Sequence, residues 1–435
     1  MSAVSVSDRE TTAPVRATRG GCMARPRRPE FHPRLADYRR RRGLTQEQVA
    51  EVVGVTAEMV RKHEHGISMP IEIYRERYSS LYCATQVELG LQLPALERIT
   101  TGTMLQLCLP ISHESTSLSS ITPIWTAEYV DSNYLTAAHG YIKQIIALDN
   151  RFGGADLARL AERFFRTIHS RLGEGSYSPG IKKDLLAVAG EIAEVAGWLS
   201  YDADRQDSVR RMNQESLYFT RLAGDKKMEL LTLQNASMHA GFLNRSHEAL
   251  HIAESVLDGG YHLSPRVRAL FLTRKARALA QGGDESSLRL FREIQSLYFE
   301  GVQSTDPDWA WWIDERELAW HEAMCRQDLG DSKSAIVQFE RSVEATPSTE
   351  IRSQYLHRAY LLAAQVKLRS WTAADNTMGQ LRPLITEVAS TRTALLIQRV
   401  LQELQADDRR VPEGLLERGA EISSILDDAL DVKST

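Results

Sequence analysis

Polar breaks recur through the second half of this chain at nearly constant spacing. Ala203–Gln206, Leu243–Ser246, Gly282–Glu285, Leu329–Ser332 and Leu368–Thr372 each divide two apolar-periodic segments, and their first residues lie 40, 39, 47 and 39 positions apart. A unit of that length holds two short helices and a turn. Each hairpin buries only part of its apolar surface, so such units must stack to bury the rest. The pattern is sharpest over Glu317–Pro347: Trp320 in the first helix, Leu329-Gly330-Asp331 at the turn, Ala335 and Phe339 one turn apart on the second helix, and Ala345 and Pro347 at its end. Trp198 and Tyr201 take the place of Trp320 in the first copy, Trp198–Asp225. The recurrence covers about 190–405, residues 150–190 are expected to cap it, and the whole repeat domain is expected to span 126–405. Stacked units of this kind form a superhelix with a concave groove. Residues 406–435 are expected to be an acidic tail with one helix.

A second all-α module is expected over 31–92. Thr45 followed by Gln48 is a capping box, so a helix starts at Gln46. Val49, Val52 and Val53 give it an apolar face with the small Ala50 beside them, and Gly54 ends it by taking the left-handed turn conformation. Thr56 is placed to cap a further helix from Ala57 to about His65, with Val55 and Val60 turned back on the first and Gly66 closing it. A helix after Pro70 carries Ile73, Tyr74, Arg77, Tyr78 and Leu81 at helical spacing. Between the two modules, 93–125 holds a Ser/Thr-rich run and is expected to be a linker.

Charge divides the chain the same way. Residues 1–45 hold eleven Arg against four acids, a net of +7, so with a net of −4 overall the remainder carries −11. A basic front on an acidic body suggests an anionic partner for the first module alone; the alternative is a solvated arginine tail, and 1–30 is expected to be a disordered basic arm. No run of about 18 apolar residues offers a membrane span. The four cysteines are scattered without a C-x-x-C, which argues against a disulfide framework or zinc ribbon and fits a cytoplasmic protein.

Catalytic signatures are missing. The chain has no phosphate-binding G-x-x-x-x-G-K-[ST], no G-x-G-x-x-G and no G-x-S-x-G. His247-Glu248-Ala249-Leu250-His251 spells H-E-x-x-H, the two-ligand zinc helix of peptidases, but no third ligand follows, and Ala249 sits where a repeat needs a small contact residue. The chain is therefore expected to be no enzyme and to hold no cofactor or metal, with a zinc peptidase as the remote alternative. Trp309, Trp312 and Trp320 (with Trp311) are either core aromatics or the lining of an effector pocket in the groove.

Leu35–Leu89, with its Ala50, Gly54, Val55 and Val60, resembles the Cro/CI-type (XRE) helix-turn-helix of phage repressors, the lambda-repressor-like fold. That resemblance implies a recognition helix at Ala57–His65 lying in the major groove of double-stranded operator DNA. Thr56, Ala57, Glu58, Arg61 and Lys62 would meet bases or phosphates, Gln46 a phosphate, and Arg39 and Arg41 would add phosphate attraction with their neighbours Arg34, Arg40 and Arg42. His63, where the family places a bulky apolar side chain, is expected to be a packed histidine rather than a pH switch, and Glu64 to pair with Arg39 or Arg40. The second half resembles tetratricopeptide repeats with units longer than usual. The order of parts is similar to cytoplasmic actinobacterial regulators that join the two. The resemblance implies a homodimer, with the repeats mediating dimerisation and sensing a peptide, protein or small signal in the groove. The other reading is an interaction scaffold without specific DNA binding: residues 46–92 set only Arg61, Lys62, Arg75 and Arg77 against seven acids.

Overall fold

The computed structural model describes residues 34–91 except 67 and 71, 129–407 except 179, and 411–431. The expected arm 1–30 and linker 93–125 lie outside these residues. The described chain is nearly all helical, with a small N-terminal head and a long array of helix pairs.

The head comprises α1 (Leu35–Arg41), α2 (Gln46–Val53), α3 (Ala57–Glu64), a two-residue strand β1 (Ser68–Met69) and α4 (Glu72–Tyr82). Its core is Leu35, Val49, Val53, Val60, Tyr78, Leu89 and Leu91, all fully buried. The segment after α4 folds back, and the Arg34 N–H donates to the Leu89 carbonyl at 2.8 Å.

The array opens with α5 (Ser132–Phe152) and α6 (Ala158–Glu174). Inner helices α7 (Lys182–Asp202), α9 (Lys226–Phe242), α11 (Pro265–Gln281), α13 (Glu315–Asp328), α15 (Ile351–Lys367) and α17 (Thr391–Ala406) then alternate with outer ones. The outer helices are α8 (Gln206–Ala223), α10 (Ser246–Leu257), α12 (Ser286–Phe299), α14 (Ser332–Ala345), α16 (Trp371–Ile385) and α18 (Glu413–Asp431). All five polar breaks are the turns between an inner helix and the next outer one. Each contains one residue in the left-handed region, Asp204, Asn244, Gly283, Gly330 and Arg369 in order. In each, the following N–H reaches back five residues, as from Arg205 to the Ser200 carbonyl at 2.9 Å and from Asp331 to Arg326 at 2.8 Å. This is the Schellman closure, and it satisfies helix-end carbonyls at every corner. Alanines keep the helices close: Ala249, Ala276, Ala335, Ala359 and Ala374 are all buried. At Gly190 a Cβ would come within 2.6 Å of Thr220 Cγ2, so α7 and α8 could not pack as they do with a larger residue there.

The one helix expected within the acidic segment 406–435 is α18, and it is the outer helix of the last pair, with Leu415, Ile422 and Leu426 buried against α16 and α17. Glu413, Glu417, Glu421, Asp427 and Asp428 lie on the solvent side of an amphipathic helix, which is why the segment looks like a tail in composition alone.

The array closes on itself. α5 touches α15, and α7 touches α17. The Ala389 N–H donates to the Phe152 carbonyl at 2.6 Å and the Ala155 N–H to the Ala389 carbonyl at 3.0 Å. Gly153 sits at this seam with φ +85°, and a Cβ on it would lie 2.5 Å from the Ala389 oxygen. A buried ionic cluster completes the seam. Asp202 accepts from Gly154 N–H at 3.1 Å and Ser390 Oγ at 2.8 Å, with Arg352 and Arg392 at 3.3 and 3.4 Å. Asp149 accepts from Trp198 Nε1 at 2.9 Å and lies 3.5 Å from Arg352.

The one unit of 47 residues carries an insertion between α12 and α13. It forms β2 (Val302–Gln303) and a 3₁₀ turn, Asp308–Trp312. β2 pairs antiparallel with β1 of the head, Ser68 opposite Gln303 and Met69 opposite Val302. Tyr298 and Phe299 pack on the head core, the Phe299 ring 5.8 Å from that of Tyr74. Head and array therefore share a contact that an all-α expectation leaves out.

Candidate nucleic-acid interface

Two short helices meeting at a corner build the exposed face of the head. At the start of α2 the Gln48 N–H donates to Thr45 Oγ1 at 3.2 Å, and the Thr45 N–H to Gln48 Oε1 at 2.8 Å. Gly54 ends α2 at φ +79°, and Arg77 of α4 donates to the Val53 carbonyl at 2.8 Å. Thr56 then caps α3 by accepting from the Met59 N–H at 3.2 Å.

α3 is held from behind by Glu64. Arg39 donates through Nε and Nη2 to its two oxygens at 2.5 and 3.0 Å, and Gln46 donates through Nε2 at 2.7 Å. One carboxylate thus ties together α1, α2 and α3. Arg39 gives its remaining nitrogen to the Leu44 carbonyl at 3.2 Å. Three of the five N–H groups of Arg39, which the sequence places on the phosphate-facing surface, are thus engaged inside the domain, and a fork held this way is structural. Arg40 pairs instead with Asp37 at 3.3 Å. Gln46 is half-buried against Glu64, while Arg41 is exposed, its guanidinium 5.6 Å from the Tyr38 ring centroid. His63 is fully buried with Nδ1 3.1 Å from the Tyr78 hydroxyl. Burial, with Lys62 adding to it, pushes its pKa down to about 4, so the ring is neutral and packs.

The outer side of α3 brings five of the expected residues together. Thr56, Glu58 and Arg61 are exposed, and Ala57 and Lys62 are half-buried beside them. Glu58 is not idle there: Arg61 donates to both its oxygens, at 2.8 and 2.6 Å. The bond to Arg61 holds the Glu58 carboxyl below the usual carboxylate range. DNA phosphate would have to compete with this fork for Arg61.

Residues 35–70 match the helix-turn-helix family model. The head is a helix-turn-helix of the XRE type and points to a DNA-binding regulator. No curated protein and no solved structure matches the chain.

Beyond the helix-turn-helix, Trp309 and Trp312 lie on the 3₁₀ turn and Trp320 in α13, and all three line one cavity with Trp198 and Trp311. Sequence reading missed the charged residues around the same cavity, Arg274, Arg352 and Arg392 above all. In sequence they look like ordinary solvent-facing charges on amphipathic helices. His247 and His251 stand exposed on α10 with Ala249 buried between them, and Glu248 lies 3.5 Å from Arg245 and 3.8 Å from Arg210. Among the described residues no group of three His, Cys, Asp or Glu forms a metal-binding set, and no helix is long and apolar enough to cross a membrane.

Proposed function

We propose that this protein is a sequence-specific transcriptional regulator that binds double-stranded operator DNA through α3. The observation that carries the reading is the exposed face of α3: Thr56, Glu58 and Arg61 stand clear of the core, while Glu64 fixes the helix from behind. A helix presented rigidly, with its N-terminal turn open, is what major-groove reading requires. In this reading the helix pairs, which resemble tetratricopeptide repeats, mediate homodimerisation and sense an effector. The protein works in the cytoplasm and catalyses nothing.

The test is selection of bound fragments from a random DNA pool at two salt concentrations, by the wild type and by Arg61→Ala/Lys62→Ala. A defined motif that the variant loses supports the regulator and gives the half-site spacing, about 34 Å per helical turn. One observation favours the scaffold reading: Glu58 already neutralises Arg61 on the recognition helix. Weak, salt-labile binding without a motif would select that reading instead.

A further inference from the structure

The closed array surrounds a cavity of about 280 Å³ to which every inner helix contributes: Glu194 from α7, Asn235 from α9, Arg274 from α11, Glu317 from α13, His357 from α15 and Arg392 from α17. Its size is just below the roughly 300–1,000 Å³ of small-molecule sites, room for one or two fused rings and a head group. Part of its wall is aromatic. Trp309 and Trp312 stack with centroids 6.4 Å apart, and Trp311 beside them is 60% exposed.

The polar lining is unbalanced in one direction. Its exposed-rim and seam carboxylates are already matched: Arg316 holds Glu350, and Trp198 and Arg352 hold Asp149. Several donors are not. Arg274 is 4% exposed, and the nearby charge of Glu317 only partly offsets the cost of burying it, for among the described residues no carboxylate reaches hydrogen-bond or ion-pair contact with it. Its Nε and Nη2 donate to the neutral Gln234 at 3.2 and 2.8 Å, and Nη1 meets His321. Three of its five N–H groups are engaged, which leaves two. The His321 Nε2 also lies 2.9 Å from Glu317, and burial pushes that ring down to about 4. A neutral ring offers Nε2 as donor or acceptor, so it satisfies Glu317 or Arg274 but not both. Trp320 is 8% exposed, and its indole N–H has no hydrogen-bond partner. Glu194 accepts from Asn235 Nδ2 at 2.6 Å, and burial pushes its carboxyl up to about 8, so at neutral pH it keeps its proton and is a further donor. A buried guanidinium whose bonded partners are all neutral and a buried N–H without an acceptor both cost stability. A ligand that brings the missing acceptors removes both costs.

We propose that this cavity binds a small aromatic carboxylate, its anionic head on Arg274 with the Trp320 N–H as a second donor and its ring against the wall of Trp309, Trp311 and Trp312. The carboxylate matches the planar guanidinium edge, and the ring size matches the aromatic wall. The proposal deepens the sensing role and rests on it for its biological meaning. Its test needs no DNA. Isothermal titration of the full chain with 2-naphthoate and with 2-naphthylmethylammonium compares the same ring carrying opposite charges. One naphthoate is expected per chain, with the amine at least tenfold weaker and Arg274→Met costing naphthoate at least tenfold. Trp311→Ala, at an exposed position that leaves the fold intact, is expected to weaken naphthoate several-fold and serves if Arg274→Met does not fold. Equal or tighter binding of the amine, naphthoate affinity unchanged in the folded variants, or no heat with either compound up to millimolar concentration would overturn the assignment. Such a result leaves the DNA-binding reading to stand or fall on fragment selection alone.

Discussion

Asp202→Ala should open the array at its seam. The carboxylate is 1% exposed and lies at the meeting point of two guanidinia, a backbone N–H and a hydroxyl. Its removal leaves Arg352 and Arg392 buried with Asp149 as the remaining anion of the cluster. Breaking a buried ion pair costs about 3–5 kcal/mol, and each neutral donor left unsatisfied adds about 1–3 kcal/mol before relaxation. These contributions share partners and do not add fully. A net loss of at least about 4 kcal/mol is expected, or about 8 °C in melting temperature at roughly 2 °C per kcal/mol for a domain of this size. Against the cost of burial, Arg352 and Arg392 hold the Asp202 carboxyl below the usual range. Its contribution is therefore present above the unfolded pKa of about 3.8 and is lost as pH falls through the folded value. Wild type and variant should converge in acid. Thermal melts measure the loss, and hydrogen exchange locates it: protection should fall together at the C-terminal end of α5 and along α17. A loss under about 1 kcal/mol, or exchange confined to α17, would refute the view that this cluster joins the two ends.

Stability should peak near pH 6.5. Burial depresses His63, His239 and His321 to about 4 and His357 to about 3, so the unfolded chain takes up their protons first and stability falls as pH drops below about 6.5. Glu194, raised to about 8, works the other way: the folded state holds the extra proton, and stability falls as pH rises toward 8. Glu194→Gln should flatten the alkaline side in chemical denaturation, and an unchanged slope there would count against a protonated Glu194. Glu58→Gln frees Arg61 for phosphate and should raise the slope of log affinity against log salt by about one unit; an unchanged slope places Arg61 off the DNA. Phe299→Ala removes the ring that packs on Tyr74 and should loosen the head from the array, seen as a larger radius of gyration in solution scattering; an unchanged profile would mean that the strand pairing suffices.

Local signals in the sequence carried far. Thr45 with Gln48, Gly54 and Thr56 fix a corner through bonds that span three residues, so spacing alone reveals them. The five array turns were legible for the same reason, even where the left-handed residue is Asp204 or Arg369 instead of glycine. The seam was not. Asp202 and Arg392 are 190 positions apart, and neither differs in sequence from a charge on a solvated helix face. The donors around the cavity were hidden likewise, since a buried arginine and an exposed one occupy similar places in an amphipathic pattern. The spacing of 47 against 39 and 40 was the one visible trace: the extra residues hold both the tryptophans of the cavity wall and the strand that meets the head.

That strand gives the molecule a history as well as a shape. Ser68 and Gln303 are 235 positions apart. At about 5–20 residues per second, roughly 12 to 47 s of synthesis separate the two. For that interval the head has its own core and α3 but no second strand to hold it. Every nascent chain thus passes through a stage in which the helix-turn-helix head is untethered by the array, and a chain cut short before Val302 never leaves it. The fixed bearing of α3 belongs to the finished protein, conferred late by a pair of residues from the far side of the sequence.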